Sequence, residues 1–175
     1  DNDIWNPIKK KGLHFLHLNV NSLIPKIDEI RNIAFKTKAA VIGITESKLD
    51  NSINDNEVKI DGYSIIRNDR NRNGGGVACY IRNDLCFNSK TIFDKQIETV
   101  FFEILIPKMK SILIGIFYRP PTQNEFLEHI IKDLHTIDFT KQEVFILGDF
   151  NVNLFYYNKY ILDEKNDIGI LIPLG

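Results

Sequence analysis

The order of apolar runs predicts an α/β protein, with two mixed sheets packed face to face and helices outside. Three observations lead there. The chain opens on a β-α-β pattern, continues through a run of strands, and returns to α-β near its end. Apolar residues make up 43% of its 175 residues, which suffices for the core of one domain, or part of one, and excludes general disorder.

Residues 1 to 12 are polar, carry the run Lys9-Lys10-Lys11, and are expected to form a solvated leader. The first strand is expected over 13 to 18. Ser22 is placed to cap a helix over roughly 23 to 37, with Pro25 in its first turn and Ile24, Ile27, Ile30 and Phe35 as a partial apolar stripe. A strand over 40 to 44 completes the opening unit, so a parallel pair is expected. Residues 47 to 62 are polar and acidic, a loop or at best a short helix. Strands over 63 to 67 and 77 to 82 flank a turn ending in Gly74-Gly75-Gly76, a hairpin signal. A Walker-type phosphate loop is excluded there, because no Lys-Ser/Thr pair and no helix follow the glycines. Strands over 99 to 106 and 111 to 117 come next. A helix over 124 to 137 carries Phe126, Leu127, Ile130, Ile131 and Leu134 at helical spacing, with Asn124 as N-cap and His129 and His135 toward its polar face. The last clear strand covers 144 to 148.

Four of these strands end on a polar side chain. The first runs into Asn19-Val20-Asn21, the second into Thr45-Glu46, another into Tyr118-Arg119-Pro120-Pro121, and the last into Gly148-Asp149-Phe150-Asn151. The C-terminal ends of strands are where α/β proteins place their chemistry. An acid that accepts a proton, beside an amide that holds a water or a phosphate oxygen, suits phosphodiester hydrolysis. Gly-Asp-x-Asn alone is also ordinary turn chemistry. Repetition at four strand ends is the stronger signal.

A net charge of −1 gives no general attraction to nucleic acid, so a polyanion would be held by local patches and a metal ion. Arg67, Arg70 and Arg72 make the glycine hairpin basic; they either track a phosphate backbone or are ordinary surface charge. Cys79 and Cys86 form no disulfide framework, and Cys79 is expected in the core, which fits a reducing compartment. No apolar run approaches the roughly 18 residues of a membrane span, and no targeting segment is visible.

Taken in order, Leu18-Asn19-Val20-Asn21-Ser22-Leu23, Thr45-Glu46-Ser47-Lys48-Leu49, the segment 70 to 77, Tyr118-Arg119-Pro120-Pro121 and Leu147-Gly148-Asp149-Phe150-Asn151 resemble one family. It is the endonuclease/exonuclease/phosphatase superfamily, in particular the abasic-endonuclease-like nuclease of non-LTR (LINE-type, jockey-like) retrotransposons. The likeness covers roughly residues 13 to 158, with 159 to 175 as a divergent tail. It implies a four-layered α/β sandwich and Mg²⁺- or Mn²⁺-dependent hydrolysis of DNA phosphodiesters. By motif, Glu46 resembles the principal metal ligand and Asn19 its neighbour. Asp149 resembles the acid that positions or deprotonates the attacking water, Asn151 the amide that orients it, and Tyr118 a donor to the scissile phosphate. Asn21, Arg67, Arg70, Arg72 and Arg119 are the implied DNA contacts. An intact element would join this module to a reverse transcriptase and act in the nucleus.

Departures bear on activity. Asn21 stands where the abasic endonucleases have an aspartate, and Arg119-Pro120-Pro121 also differs from them, which argues against DNA repair. The family's last third carries an aspartate and a Ser-Asp-His-type ending, and nothing after Asn151 supplies them. His14, His17, His129 and His135 fall in elements whose family counterparts are not catalytic. The expectation is therefore an excerpt or a truncated copy, incomplete in its final strands and weak or inactive as a nuclease. The alternatives are a non-catalytic, nucleic-acid-binding remnant and, less favoured, a phosphatase of the same superfamily.

Overall fold

The computed structural model describes residues 12–91, 97–123, 126–151 and 169–170. The first sheet contains β1 (Phe15–Asn19), β2 (Val41–Thr45), β3 (Tyr63–Asn68) and β4 (Val77–Arg82), in the order β1-β2-β4-β3. β1 and β2 are parallel and the other pairs antiparallel. The second sheet contains β5 (Cys86–Lys90), β6 (Glu98–Leu105), β7 (Ser111–Tyr118), β8 (Gln142–Asp149) and the two-residue β9 (Gly169–Ile170), in that order. β7, β8 and β9 run parallel, while β5-β6 and β6-β7 are antiparallel. Both sheets are mixed, as the element order predicts.

The layering follows from strand alternation. In β2, Ile42 and Ile44 face helix α1 (Ile27–Thr37), joining Ile27, Ile30, Ile33 and Ala34 in one core. Val41, with Cys79 and Ile81 of β4, faces the other way, onto Phe102, Ile104, Ile114 and Ile116 of the second sheet. The far side of that sheet presents Phe101, Leu113, Phe117 and Ile146 to Phe126, Ile130 and Leu134 of helix α2 (Phe126–Leu134). Helix, sheet, sheet and helix thus make a four-layered α/β sandwich. A side chain such as Phe102, fully buried between the sheets, contributes about 1.5–3 kcal/mol through burial alone. Gly43 lets the sheets close, because a Cβ there would lie 2.5 Å from Ile116 Cδ1.

Local expectations need three adjustments. Ser22 does not cap α1; Ile24–Lys26 form a 3₁₀ turn containing Pro25, and α1 starts after it without a side-chain cap. Phe35 lies off the buried stripe and is 78% exposed, because Ile33 and Ala34 occupy the core-facing turn. Residues 47 to 62 form the expected loop, a series of turns, but one that is anchored in the α1 core by Leu49, Ile53, Val58 and Ile60. Cys79 is buried as expected and Cys86 is exposed on β5, a strand the apolar pattern did not mark. His129 and His135 face solvent. Asn124, the side chain of Leu127, residues 1 to 11 and most of 152 to 175 lie outside the described residues.

Candidate active site

Parallel pairing puts the ends of four strands at one edge. Asn19 is in register with Thr45, and Tyr118 with Asp149. The sheets pack with Phe15 of β1 edge-on to Phe145 of β8, ring centroids 5.2 Å apart. The end of β1 therefore meets the end of β8. There the Asn19 carboxamide bridges the sheets: Nδ2 donates to Glu46 Oε1 at 3.0 Å and to Asp149 Oδ2 at 2.6 Å. Its Oδ1 accepts the Asn21 backbone N–H at 3.2 Å.

The backbone is shaped to present these groups. Asn21, Ser22, Glu46, Lys48 and Asn151 all have positive φ, a cluster of left-handed residues at one end of the molecule. Such conformations cost non-glycine residues free energy and persist where the surroundings hold them. Here Ser22 N donates to Glu46 O at 2.8 Å and Val20 N to Thr45 O at 3.1 Å, tying the two turns together. Gly148 is required by packing, since a Cβ would fall 2.0 Å from the Phe117 carbonyl oxygen. Phe150 is buried against Phe117 and Phe126, so its neighbours Asp149 and Asn151 face outward.

The remaining candidates divide sharply. Tyr118 is 6% exposed; burial raises its phenol above the usual range, the Glu46 carboxylate adds to this, and Arg70 opposes it. It is thus a neutral hydroxyl at physiological pH. Asn151 donates its own N–H to Asp149 Oδ1 at 3.1 Å and its Nδ2 to the Arg119 carbonyl at 2.8 Å. Asn21 Oδ1 accepts from Lys48 Nζ. Arg70 stands beside Tyr118, its guanidinium carbon 6.0 Å from the ring centroid. Arg72 is exposed, between the bridged residues Asn71 and Gly74.

Arg67 and Arg119, two of the expected DNA contacts, are turned toward internal acceptors. Arg67 pairs with Asp55 and Asp69, each at 3.2 Å, and donates to the Ile53 carbonyl at 2.7 Å. Arg119 is 8% exposed and holds the carbonyls of Gln123, Phe150 and Asn151 at 2.7, 3.2 and 2.8 Å. Both guanidiniums thus direct most of their contacts to internal oxygens.

His17, set aside in the sequence as lying in a non-catalytic element, stands on β1 two residues before Asn19. It hydrogen-bonds Thr45 Oγ1 at 3.0 Å, and burial lowers its pKa to about 4 against the pull of Asp149. Its alternation with Asn19 on β1 was the available signal.

The donor set fits a hard cation. Glu46 and Asp149 share one neutral carboxamide, and neither has an ion-pair partner among the described residues. Among those residues no three His, Cys, Asp or Glu side chains gather around a common point. Glu46 and Asp149 thus offer carboxylate oxygens, the hard donors that Mg²⁺ or Mn²⁺ takes, rather than the nitrogen and sulfur shell of zinc.

A sequence profile of the Endonuclease/Exonuclease/phosphatase family matches residues 16–167. Among solved structures, the endonuclease domain of TRAS1, a telomere-specific non-LTR retrotransposon, superimposes with a TM-score of 0.62 at 16% identity, over 81% of this chain and 60% of that one. An AP endonuclease from Leishmania major gives a TM-score of 0.66 at 17% identity, over 93% and 66%. The 3′ phosphatase NExo from Neisseria, bound to a product DNA hairpin, gives 0.57 at 16% identity, over 81% and 58%. The chain therefore spans about 60% of the length of the retrotransposon domain. No curated protein sequence matches it. Among the described residues, no helix is long and apolar enough to cross a membrane.

Proposed function

Because the chain belongs to the endonuclease/exonuclease/phosphatase family, we propose that its Asn19–Glu46–Asp149 cluster hydrolyses DNA phosphodiesters with Mg²⁺ or Mn²⁺. The observation that carries this reading is the Asn19 carboxamide joining carboxylates from two different sheets.

Glu46 and Asn19 would hold the cation, which when bound offsets phosphate charge and stabilises the leaving oxygen. Asp149 is the general base. Each of its oxygens already accepts one N–H, from Asn151 and Asn19, which fixes the carboxylate and leaves lone pairs for a water. Asn151 is held by the Arg119 carbonyl, so its own Oδ1 can orient that water. Tyr118, kept neutral by burial, donates to the phosphate.

The order of the sequence motifs and the likeness to the TRAS1 domain support a nicking module of a non-LTR retrotransposon polyprotein, paired with a reverse transcriptase and acting on nuclear DNA. Asn21 and Lys48 border the site, Arg72 is exposed on the glycine hairpin, and all three would meet the phosphate backbone. None of His14, His17, His129 and His135 offers an exposed imidazole at the cluster, so slow cleavage is expected of this chain.

The test is nicking of supercoiled plasmid by the chain, Glu46→Ala and Asp149→Ala, with Mg²⁺ or Mn²⁺. Slow nicking that needs the metal and disappears in both variants supports the reading. Nicking without metal, or unchanged in either variant, contradicts it. Equal background in all three favours a non-catalytic, nucleic-acid-binding remnant.

A further inference from the structure

The three glycines of the hairpin have no part in the chemistry above, yet their surroundings are crowded. A Cβ on Gly74 would lie 2.8 Å from Arg70 Nη2. On Gly75, which has φ +67°, it would meet Glu98 Oε2 at 2.5 Å and Arg70 Cζ at 2.6 Å. The glycine backbone is thus the seat of an Arg70–Glu98 pair.

Glu98 is the centre of that arrangement. Its side chain is only 14% exposed, Oε1 accepts from Arg70 Nη1 at 2.8 Å, and Oε2 accepts the Gly76 N–H at 2.6 Å. Arg70 Nε donates to the Gly74 carbonyl at 2.8 Å, closing the ring. From there two paths reach the site. Arg70 lies beside the Tyr118 ring, and Glu98 is in register with Tyr118 across β6 and β7. The carbonyls of Gly75 and Gly76 accept the N–H groups of Lys48 and Ser47 at 3.0 and 3.1 Å, the residues that follow Glu46.

We infer that Glu98 is a positioning residue: it locks the Gly74–Gly76 loop and Arg70 in place and through them fixes Tyr118 and the turn that carries Glu46. Arg70 is then part of the lock rather than a mobile phosphate contact. The triple glycine exists to admit the pair against the loop backbone. A carboxylate taking both a guanidinium and a backbone N–H makes charge-assisted bonds, stronger than neutral ones, so one side chain can hold a loop of this size.

The functional meaning rests on the proposed roles of Glu46 and Tyr118. The coupling is testable without metal or DNA, so its failure is separable from theirs. The experiment is amide hydrogen exchange by NMR on the whole chain, comparing the wild type with Glu98→Gln and Gly75→Ala. Both variants should speed exchange at Gly76, Ser47 and Lys48 by roughly tenfold or more. Ile44 and Phe102, in neighbouring strands, should stay within about twofold. In Glu98→Gln the Gly76 amide proton should also move upfield, as its acceptor loses charge. Unchanged exchange at Ser47 and Lys48 would overturn the inference, because neither amide touches Glu98 directly. Equal acceleration across β2 and β6 would overturn it too, since that marks general loosening rather than a lock.

Discussion

At the Ser111 end of the five-stranded sheet a carboxylate is enclosed, while at the Tyr118 end two carboxylates are left facing each other. Glu103 accepts from Ser111 Oγ at 2.5 Å, Gln142 Nε2 at 2.9 Å and Lys90 Nζ at 2.8 Å, so one side chain ties together β5, β6, β7 and β8. The Lys90 ammonium, with help from the Ser111 hydroxyl, holds its pKa at about 2. Glu46 and Asp149 instead share a single neutral amide. A polar network closed upon itself stabilises a fold, whereas one with charge left over is suited to a cation and a substrate.

Replacing each kind of carboxylate should break the two ends differently. Glu103→Ala leaves Lys90, Ser111 and Gln142 without their acceptor and should cost about 3 kcal/mol in denaturant unfolding. Asp149→Asn gives up one of two accepted N–H groups but also one of two unpaired negative charges, so it should change stability by less than about 1 kcal/mol. A destabilisation by Asp149→Asn as large as that of Glu103→Ala would erase the distinction.

The closed network should also appear in the pH dependence. Glu103 has a lower pKa folded than unfolded, so its contribution is complete above about pH 4.5 and is lost as pH falls toward 2. Unfolding midpoints compared between wild type and Glu103→Gln should converge over that window, closing a gap of order 2 kcal/mol. A gap independent of pH would mean that the hydrogen bonds act without the charge.

The arginines sharpen the same contrast with smaller effects. Arg67→Ala strands Asp69 in a partly buried position and should cost about 2 kcal/mol of stability. Arg72→Ala should leave stability within about 0.5 kcal/mol. It should also lower the slope of log affinity for duplex DNA against log salt by about 0.9, the share of one phosphate contact. An unchanged slope would remove Arg72 from the interface.

These residues also show where a sequence is readable. Asn19, Glu46, Tyr118 and Asp149 could be picked out because each ends an apolar run, and parallel pairing then brings such ends to one edge. The four layers followed from the same runs. Arg67 and Arg119 could not be assigned, because whether an arginine turns inward depends on carbonyls and carboxylates from distant segments, such as Ile53 and Phe150. Glu98 opens β6 and Glu103 lies within it, and their spacing says nothing of their partners. Strand β5 was missed since Cys86-Phe87-Asn88-Ser89-Lys90 pairs at an edge and carries little apolar alternation.

The central claim, a single cation site held by Glu46 and Asn19 where the ends of the two sheets meet, is tested most directly by titrating the chain with Mn²⁺ and counting bound metal by electron paramagnetic resonance. The account predicts one site in the wild type, lost in Glu46→Ala and weakened about tenfold or more in Asn19→Ala, as expected when a ligand or its support is removed. It also predicts full retention in Glu103→Gln, which alters the other end. No bound Mn²⁺ in the wild type, or equal binding in the wild type and Glu46→Ala, would contradict it.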